Sequence, residues 1–259
     1  MTRHDIDIER IIEIAKAAGE RILEIYEQDF AVFEKDDASP LTEADQAANA
    51  VILDGLRSSY ADIPFISEEE KNTDYAERAD WDACWLIDPL DGTKEFIKKN
   101  GEFTVNIALI EGGEPVLGVV YVPARSETYF AMRGEGAYKE TADGGRSRIE
   151  NRTHYRDLDT VRVVASRSHL SDEVVAFVDR LKAEGKQVEF QSSGSSLKFC
   201  LVAEGSADVY PRFAPTMEWD TGAAHAVCLE AGKQVLRYPE MEPLTYNREE
   251  LLNPWFIVE

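Results

Sequence analysis

The sequence lacks long hydrophobic runs and has few cysteines. No apolar stretch approaches the roughly 18 residues that a membrane-spanning helix needs, so we expect no transmembrane segment. The three cysteines, Cys84, Cys200 and Cys228, lie far apart in apolar surroundings, and no Cys-x-x-Cys pair occurs. They indicate no disulfide framework and fit small buried thiols in a reducing cytoplasm.

Positive charge is also scarce. Lysine and arginine number 28 against 50 acidic residues, which gives a formal charge of −22. This sign excludes nucleic acid as a bulk polyanionic partner. A small phosphorylated substrate remains compatible, provided that metal ions and a few cations reverse the charge locally. The first residues lead into charged amphipathic sequence, so we expect no signal peptide and a cytoplasmic location. Oligomeric state and a weak peripheral association with the inner membrane stay open.

Periodicity in the first half predicts helices followed by an antiparallel sheet. Apolar residues at helical spacing cover 7–28, residues 30–39 are typical of a strand and loop, and Thr42 is a candidate N-cap for a second helix. The strand-like runs are 63–66, 104–110, 115–122, 128–132 and 136–139. A Glu-Gly-Gly-Glu turn joins the second and third runs as a hairpin.

Residues 140–158 are polar with weak periodicity, and we place a soft domain boundary there. The boundary gives an N-terminal α+β half, 1–158, and a C-terminal α/β half, 159–259. In the second half strands and helices alternate. The predicted strands are 161–165, 188–191, 209–210, 235–237 and 256–258, and the predicted helices are 171–184, 195–204 and 220–231.

The most informative stretch is WLIDPLDGT at 85–93. Its first three residues are typical of the end of a buried strand. Asp88 and Asp91 follow, on either side of a proline that disfavours helix in the residue before it. The next residues predict a turn into a short helix, whose first N–H groups suit a phosphate. Two hard carboxylates beside an anion site indicate Mg²⁺ and phosphate together. A surface loop in which aspartates only make turns has the same pattern.

Three more acidic residues are predicted at the ends of elements. Asp45 falls in the first turn of the second helix, Glu68 follows a short strand, and Asp220 is a candidate N-cap of the last helix. A helix-terminal preference or a solvated acidic face explains each of them alone. Together with Asp88 and Asp91 they place several carboxylates where strands and helices end.

These motifs resemble the signature of the inositol monophosphatase superfamily, in the same order and spacing over nearly the whole chain. The stretches that carry the resemblance are Glu68-Glu69, DPLDGT at 88–93 and Trp219-Asp220. Within the superfamily, four further stretches are similar to the bacterial 3′(2′),5′-bisphosphate nucleotidases. They are GTKEFI at 92–97, GEFTVN at 101–106, SRSH at 166–169 and GSSLKF at 194–199.

The resemblance implies a lithium-sensitive phosphomonoesterase that uses two Mg²⁺ ions, with a third left open. Its ligands here would be Glu68, Asp88 as the bridge between ions, the Leu90 carbonyl, Asp91 and Asp220. Two cations roughly 3.5–4 Å apart can clamp the attacking and the leaving oxygen of an in-line displacement.

The resemblance also gives roles to residues beside the metal. Thr93, paired with Asp45, would activate the attacking water, and the amides of Gly92 and Thr93 would hold the phosphate. Substrate contacts are expected from Glu68, Leu90, Asp91, Gly92, Thr93 and Asp220.

Substrate choice is expected from the second half of the chain. In the nucleotidases, residues matching Ser166, His169, Gly194 and Lys198 surround the nucleotide. A cationic Lys198 suits the second phosphate of a bisphosphate, which inositol monophosphate lacks. Arg167 and Arg212 are further candidates. A satisfied surface histidine explains His169 equally well.

Residues and resemblance together predict an α+β sugar-phosphatase fold, a layered αβαβα sandwich with the active site between its halves. The expected reaction is hydrolysis of the 3′-phosphate of adenosine 3′,5′-bisphosphate to AMP, in the clearance of a by-product of sulfate assimilation, with the 3′-phosphosulfate analogue as another substrate. The alternatives are an inositol or sugar phosphate phosphatase on the same fold and, more remotely, a non-enzymatic acidic cation-binding protein.

Overall fold

The computed structural model describes residues 4–28, 32–34, 40–70, 73–165 and 171–259. Its helices are α1 (Ile8–Tyr26), α2 (Glu43–Ser59), α3 (Tyr75–Arg78), α4 (Thr93–Ile97), α5 (Asp172–Ala183), α6 (Leu197–Ala203) and α7 (Glu218–Glu230). Its strands are β1 (Val32–Glu34), β2 (Pro40–Thr42), β3 (Phe65–Ser67), β4 (Ala83–Asp91), β5 (Thr104–Glu111), β6 (Glu114–Val122), β7 (Glu127–Met132), β8 (Gly136–Glu140), β9 (Arg146–Ile149), β10 (Thr160–Ala165), β11 (Gln187–Ser192), β12 (Tyr210–Arg212), β13 (Val235–Arg237) and β14 (Phe256–Val258). Among the described residues, no helix combines the length and the apolar character needed to cross a bilayer.

The first two helices form as their sequences predict. The Asp7 side chain accepts a hydrogen bond from the backbone N–H of Glu9 and so caps α1. Thr42 caps α2 in a reciprocal capping box with Asp45, which confirms the predicted N-cap. The apolar faces of both helices pack together and against one face of the large sheet.

The large sheet has seven strands in the order β3-β4-β5-β6-β7-β8-β9. β3 and β4 run parallel, whereas each later neighbour is antiparallel to the strand before it. Strand β9 falls within 140–158, where the sequence predicted only a polar boundary. The strand was missed because β9 is an edge strand whose first three residues are exposed, so it has no apolar face to detect.

Helices α6 and α7 cover the opposite face of the large sheet. The approach of α7 is very close: a Cβ built on Gly118 of β6 would lie 2.0 Å from the carbonyl oxygen of Ala223. Only glycine leaves room for the helix backbone at this point. The close packing fixes the height of α7 over the sheet, and therefore the position of Asp220 in its first turn.

Strands β1 and β2 form a separate antiparallel pair, and strands β10 to β14 form a further layer on the far side of α6 and α7. Strands β10 and β11 are parallel, β14 lies between β12 and β13, and a bridge from Val163 to Val209 connects the two groups. Helix α5 covers the outer face of this layer. The five layers confirm the predicted αβαβα sandwich. The core around α7 contains residues from both predicted halves, and the boundary at 158/159 stays a prediction.

Two predicted boundaries were wrong near the site. Strand β4 does not end at Ile87 but continues to Asp91, because an irregularity in its pairing with β5 accommodates the proline. Helix α7 begins at Glu218 with Met217 as N-cap, so Asp220 is the third helical residue rather than the cap. The predicted strand and loop at 30–39 lies largely outside the described residues.

Candidate active site

The acidic cluster begins where β3 and β4 run side by side. Parallel strands bring their carboxyl ends to the same edge of a sheet. Glu68 directly follows β3, and its backbone N–H donates to the carbonyl oxygen of Ile87 at 3.1 Å. That bond holds Glu68 beside Asp88, the next residue of β4.

Asp88 and Asp91 are held on β4 by its irregular pairing with β5. Asp88 pairs with Asn106 and Asp91 with Thr104, and the register shifts between the two pairs. The N–H of Leu90 donates to Oδ1 of Asp88 at 3.0 Å. Asp88 is 1% exposed, whereas Asp91 is half-buried. The pairing fixes the backbone at both residues, and the Leu90 N–H also holds the Asp88 carboxylate.

Asp220 reaches the same place from α7. The backbone N–H of Met217 donates to its Oδ2 at 2.9 Å, which fixes the side chain at the start of the helix. Oxygen atoms of Glu68, Asp88 and Asp220 all lie within 4.8 Å of one another. Three carboxylates at this spacing form a donor set suited to a hard divalent cation. The sequence expectation that they meet is confirmed.

The raised pKa values of the cluster show that positive groups of the protein balance its negative charges poorly. Loss of water contact, followed by repulsion from neighbouring carboxylates, raises the pKa of Asp88 and of Asp220 well above the usual range. Burial raises the pKa of Asp91 to about 6, while Lys198 and the N–H of Ser196 oppose the increase. The Ser196 N–H lies 2.5 Å from Asp91 Oδ2. Bound cations would relieve this repulsion, so the residues fit a metal centre.

Thr93 and Asp45 meet beside the cluster, as expected from the sequence. Oγ1 of Thr93 lies 3.3 Å from Oδ1 of Asp45 and 3.3 Å from the carbonyl oxygen of Leu90. The other oxygen of Asp45 accepts from the N–H and the hydroxyl of Thr42, at 2.7 and 2.6 Å. Asp45 is 1% exposed. The capping box of α2 thus holds Oδ1 of Asp45 toward the hydroxyl of Thr93.

The turn between β4 and α4 brings Thr93 to this position. Gly92 precedes the helix with φ of 92°, a left-handed conformation that favours glycine. A Cβ built on Gly92 would lie 3.2 Å from the carbonyl oxygen of Glu102. The glycine therefore serves both the turn and the close packing of the neighbouring chain.

A cleft of about 550 Å³ opens over the cluster, and a second cavity of about 300 Å³ adjoins it. The two share six lining residues, which are Asp91, Gly92, Lys94, Glu95, Thr216 and Asp220. Sequence reasoning gave no role to Lys94, Glu95 or Thr216. Lys94 and Glu95 lie within the GTKEFI stretch, whose resemblance to the nucleotidases could have indicated them. Thr216 precedes α7 in a segment with no pattern of its own.

The predicted specificity residues differ in where the structure places them. Lys198 lines the second cavity, with Nζ donating to the Ser195 carbonyl at 3.1 Å, and it is only 8% exposed. Arg212 lines the same cavity. The N–H of Gly194 donates to Glu102 at 2.9 Å. Ser166, Arg167 and His169 lie outside the described residues, so their proposed roles stay predictions.

A sequence profile described as the inositol monophosphatase family matches residues 6–254. The chain belongs to the inositol monophosphatase family. Members are metal-dependent, typically with Mg²⁺, which agrees with the carboxylate cluster of Glu68, Asp88 and Asp220.

Similar family members from enterobacteria are described as 3′(2′),5′-bisphosphate nucleotidase CysQ. The protein from Salmonella typhimurium is 48% identical over 254 residues, covering 97% of this chain and 98% of its own. The protein from Escherichia coli strain K12 is 47% identical with the same coverage. The similarity extends over both halves of the chain and all the motifs that carry site residues.

Solved structures of family members agree with the fold. The crystal structure of CysQ from Bacteroides thetaiotaomicron aligns with a TM-score of 0.84 and 51% identity, covering 97% of this chain and 96% of that one. The Thermotoga maritima IMPase aligns with a TM-score of 0.75 and 25% identity, covering 97% and 91%. The inositol monophosphatase fold is therefore common to both.

Proposed function

We propose that this chain is a Mg²⁺-dependent 3′(2′),5′-bisphosphate nucleotidase that converts adenosine 3′,5′-bisphosphate to AMP and phosphate. The observation that carries the proposal is the position of Lys198. It is a buried cation in a cavity that adjoins the carboxylate cluster, where a second phosphate needs a positive partner. Relatives described as this nucleotidase, 47–48% identical over 97% of the chain, support the choice of substrate. The phosphosulfate analogue shares the 3′-phosphate that the reaction removes and carries a phosphosulfate in place of the second phosphate.

The carboxylates and one carbonyl would hold two Mg²⁺ ions, with a third left open. Glu68, Asp88 and the carbonyl oxygen of Leu90 would form one site, and Asp88, Asp91 and Asp220 the other. When bound, such cations polarise the phosphoryl group and make the attacking water more acidic. The raised pKa values of Asp88 and Asp220 support shared ligation, because cations would offset the repulsion that causes them.

Thr93 and Asp45 would orient the water. The Thr93 hydroxyl can donate its proton to Oδ1 of Asp45 at 3.3 Å, which leaves its lone pairs to accept a hydrogen bond from water. Asp45 keeps this direction because Thr42 fixes its other oxygen. The N–H groups of Gly92 and Thr93 would hold the transferred phosphate.

The reaction is tested by the identity of the product. Phosphorus NMR of a reaction with adenosine 3′,5′-bisphosphate and Mg²⁺ should show inorganic phosphate and adenosine 5′-monophosphate in equal amounts. The same sample in excess chelator should show neither product. Release of the 5′-phosphate, or full turnover in chelator, would contradict the proposal.

Mg²⁺ binding should weaken at acidic pH. Because the pKa of Asp91 is raised to about 6, that carboxyl is protonated below this pH and a cation must displace its proton. The apparent Mg²⁺ affinity should fall as the pH is lowered, by about tenfold per pH unit for each proton displaced, and the raised pKa values of Asp88 and Asp220 contribute to the same dependence. Mg²⁺ titrations at about pH 7.5 and about pH 5 measure this change in affinity, with the midpoint of thermal unfolding as the signal. Equal affinities at the two pH values would show that none of these carboxyls loses a proton on Mg²⁺ binding, which would contradict the proposed ligand set.

Lys198→Ala should impair the bisphosphate more than the monophosphate. Loss of a charge-assisted hydrogen bond costs roughly 1.5–3 kcal/mol, or about 10- to 150-fold in KM for adenosine 3′,5′-bisphosphate. Inositol 1-phosphate has no second phosphate and should be affected little. Since Lys198 also lowers the pKa of Asp91, both substrates are measured at saturating Mg²⁺.

The matched control is Lys182→Ala, which removes an exposed lysine from α5. It should leave both KM values unchanged. Equal losses on the two substrates in Lys198→Ala would assign Lys198 to the common phosphate site or to the fold.

A further inference from the structure

The segment 193–198, which links β11 to α6 and ends at Lys198, is attached to the start of β5 by buried side chains. We call Glu102, Thr104 and Asn106 the polar clamp. They are alternate residues on one side of the chain, as expected for an extended strand, and are 7%, 0% and 0% exposed. Thr104 and Asn106 pair with Asp91 and Asp88 across β4, so the clamp adjoins the metal centre.

Glu102 makes the contact farthest from the metal centre. Its Oε2 accepts a hydrogen bond from the N–H of Gly194 at 2.9 Å. The backbone also fits closely, since a Cβ on Gly194 would lie 2.7 Å from the Glu102 carbonyl oxygen. Arg125 lies 3.7 Å from the other carboxylate oxygen. The contact joins residues that are 92 positions apart in the chain.

Thr104 and Asn106 hold the next part of the segment through Ser196. The Ser196 hydroxyl lies 2.9 Å from Oγ1 of Thr104 and donates to Oδ1 of Asn106 at 2.8 Å. The Ser196 N–H donates to Asp91. Ser196 is therefore fixed at both its backbone and its side chain. The Gly194 end of the segment depends on Glu102.

We propose that Glu102 is a positioning residue for substrate specificity: its bond to Gly194 holds the segment so that Lys198 faces the second phosphate of the substrate. The specificity role rests on the nucleotidase function proposed above. Glu102 accepts the hydrogen bond from the Gly194 N–H, so we expect it to act on the second-phosphate site through the position of Gly194. It should therefore act on KM for the bisphosphate and leave kcat nearly unchanged.

Kinetics of three variants test the specificity role. Glu102→Ala should raise KM for adenosine 3′,5′-bisphosphate about tenfold, as expected if the segment then holds its binding position in about a tenth of the molecules. KM for inositol 1-phosphate and both kcat values should change less than about twofold. Glu102→Gln keeps the acceptor and should restore most of the affinity. Gly194→Ala should reproduce the defect, because its new Cβ would lie 2.7 Å from the Glu102 carbonyl oxygen and would push the segment away from Glu102.

The Glu102→Gln variant distinguishes the hydrogen bond to Gly194 from the negative charge of Glu102, because glutamine keeps the acceptor and removes the charge. If Glu102 acted only by its negative charge, both Glu102 variants would lower KM for an anionic substrate. The control Glu114→Ala removes an exposed carboxylate that pairs with Arg133 on the same sheet. It should change neither substrate. An equal loss on both substrates in Glu102→Ala would overturn the specificity role.

Amide hydrogen exchange tests the attachment without any substrate. In the wild type, the Gly194 amide should exchange slowly because it is bonded to Glu102. Glu102→Ala should speed its exchange at least about tenfold, and Glu102→Gln should not. Unchanged exchange in Glu102→Ala would overturn the proposal even if the kinetics changed. A wild type that fails to hydrolyse the bisphosphate would instead refute the nucleotidase function, and the exchange result would still decide whether Glu102 holds the segment.

Discussion

Asp88→Asn is expected to lower kcat by at least about 10²-fold at saturating Mg²⁺, the usual cost of losing one strong electrostatic contact in a reacting centre. Asp88 is the most deeply buried carboxylate of the cluster, and one of its oxygens lies within 4.8 Å of oxygens of both Glu68 and Asp220. Asparagine keeps the size of the side chain and can still accept from the Leu90 N–H. The substitution therefore removes the charge and leaves the local geometry in place.

The same variant should be at least as stable as the wild type in chelator. Burial and neighbouring carboxylates raise the pKa of Asp88, so Asp88 lowers the free energy of unfolding as the pH rises from the ordinary pKa of an aspartate through the raised value. The neutral amide does not carry this cost. Thermal unfolding in chelator measures the difference, and the assay is repeated with Asp54→Asn, which alters an exposed aspartate of α2. A variant that loses both activity and stability would show that Asp88 serves the fold.

Thr93→Val is expected to lower kcat by about 10²–10⁴-fold, the range for positioned acid–base assistance. Valine has nearly the same shape but lacks the hydroxyl that connects Asp45 to the site. The Mg²⁺ concentration for half-maximal activity should not rise, because the carbonyl oxygen of Leu90 loses only a competing hydrogen-bond donor.

Thr93→Ser keeps the hydroxyl and is the matched control, with activity within about tenfold of the wild type. Thr93 is a better target than Asp45, whose carboxylate also completes the capping box of α2. Near-normal turnover in Thr93→Val would assign activation of the water to the metal centre alone.

Local patterns predicted much of the fold because many elements carry a pattern within their own sequence. The apolar spacing of α1 and the cap at Thr42 are of this kind, and β14 was predicted at its observed bounds. The end of β4 could not be found in this way. Proline normally interrupts a strand, and only the irregular pairing with β5 lets β4 continue past it.

The site was predicted in part because its carboxylates lie at the ends of elements and in motifs that resemble the family. The sequence predicted Asp220 as the N-cap of α7, but Met217 is the N-cap and Asp220 is the third residue of the helix. The contact between Glu102 and Gly194 could not be predicted from the sequence. Their hydrogen bond joins distant parts of the chain, and no periodicity within either segment indicates it.

The proposed nucleotidase function is tested by comparing kcat/KM of the wild type for adenosine 3′,5′-bisphosphate with kcat/KM for inositol 1-phosphate, each with Mg²⁺. A buried Lys198 beside the carboxylate cluster should favour the bisphosphate by about tenfold or more, the value of one charge-assisted hydrogen bond. We expect this preference, together with loss of both activities in chelator. A preference for inositol 1-phosphate would contradict the nucleotidase function and leave a phosphatase of the same family.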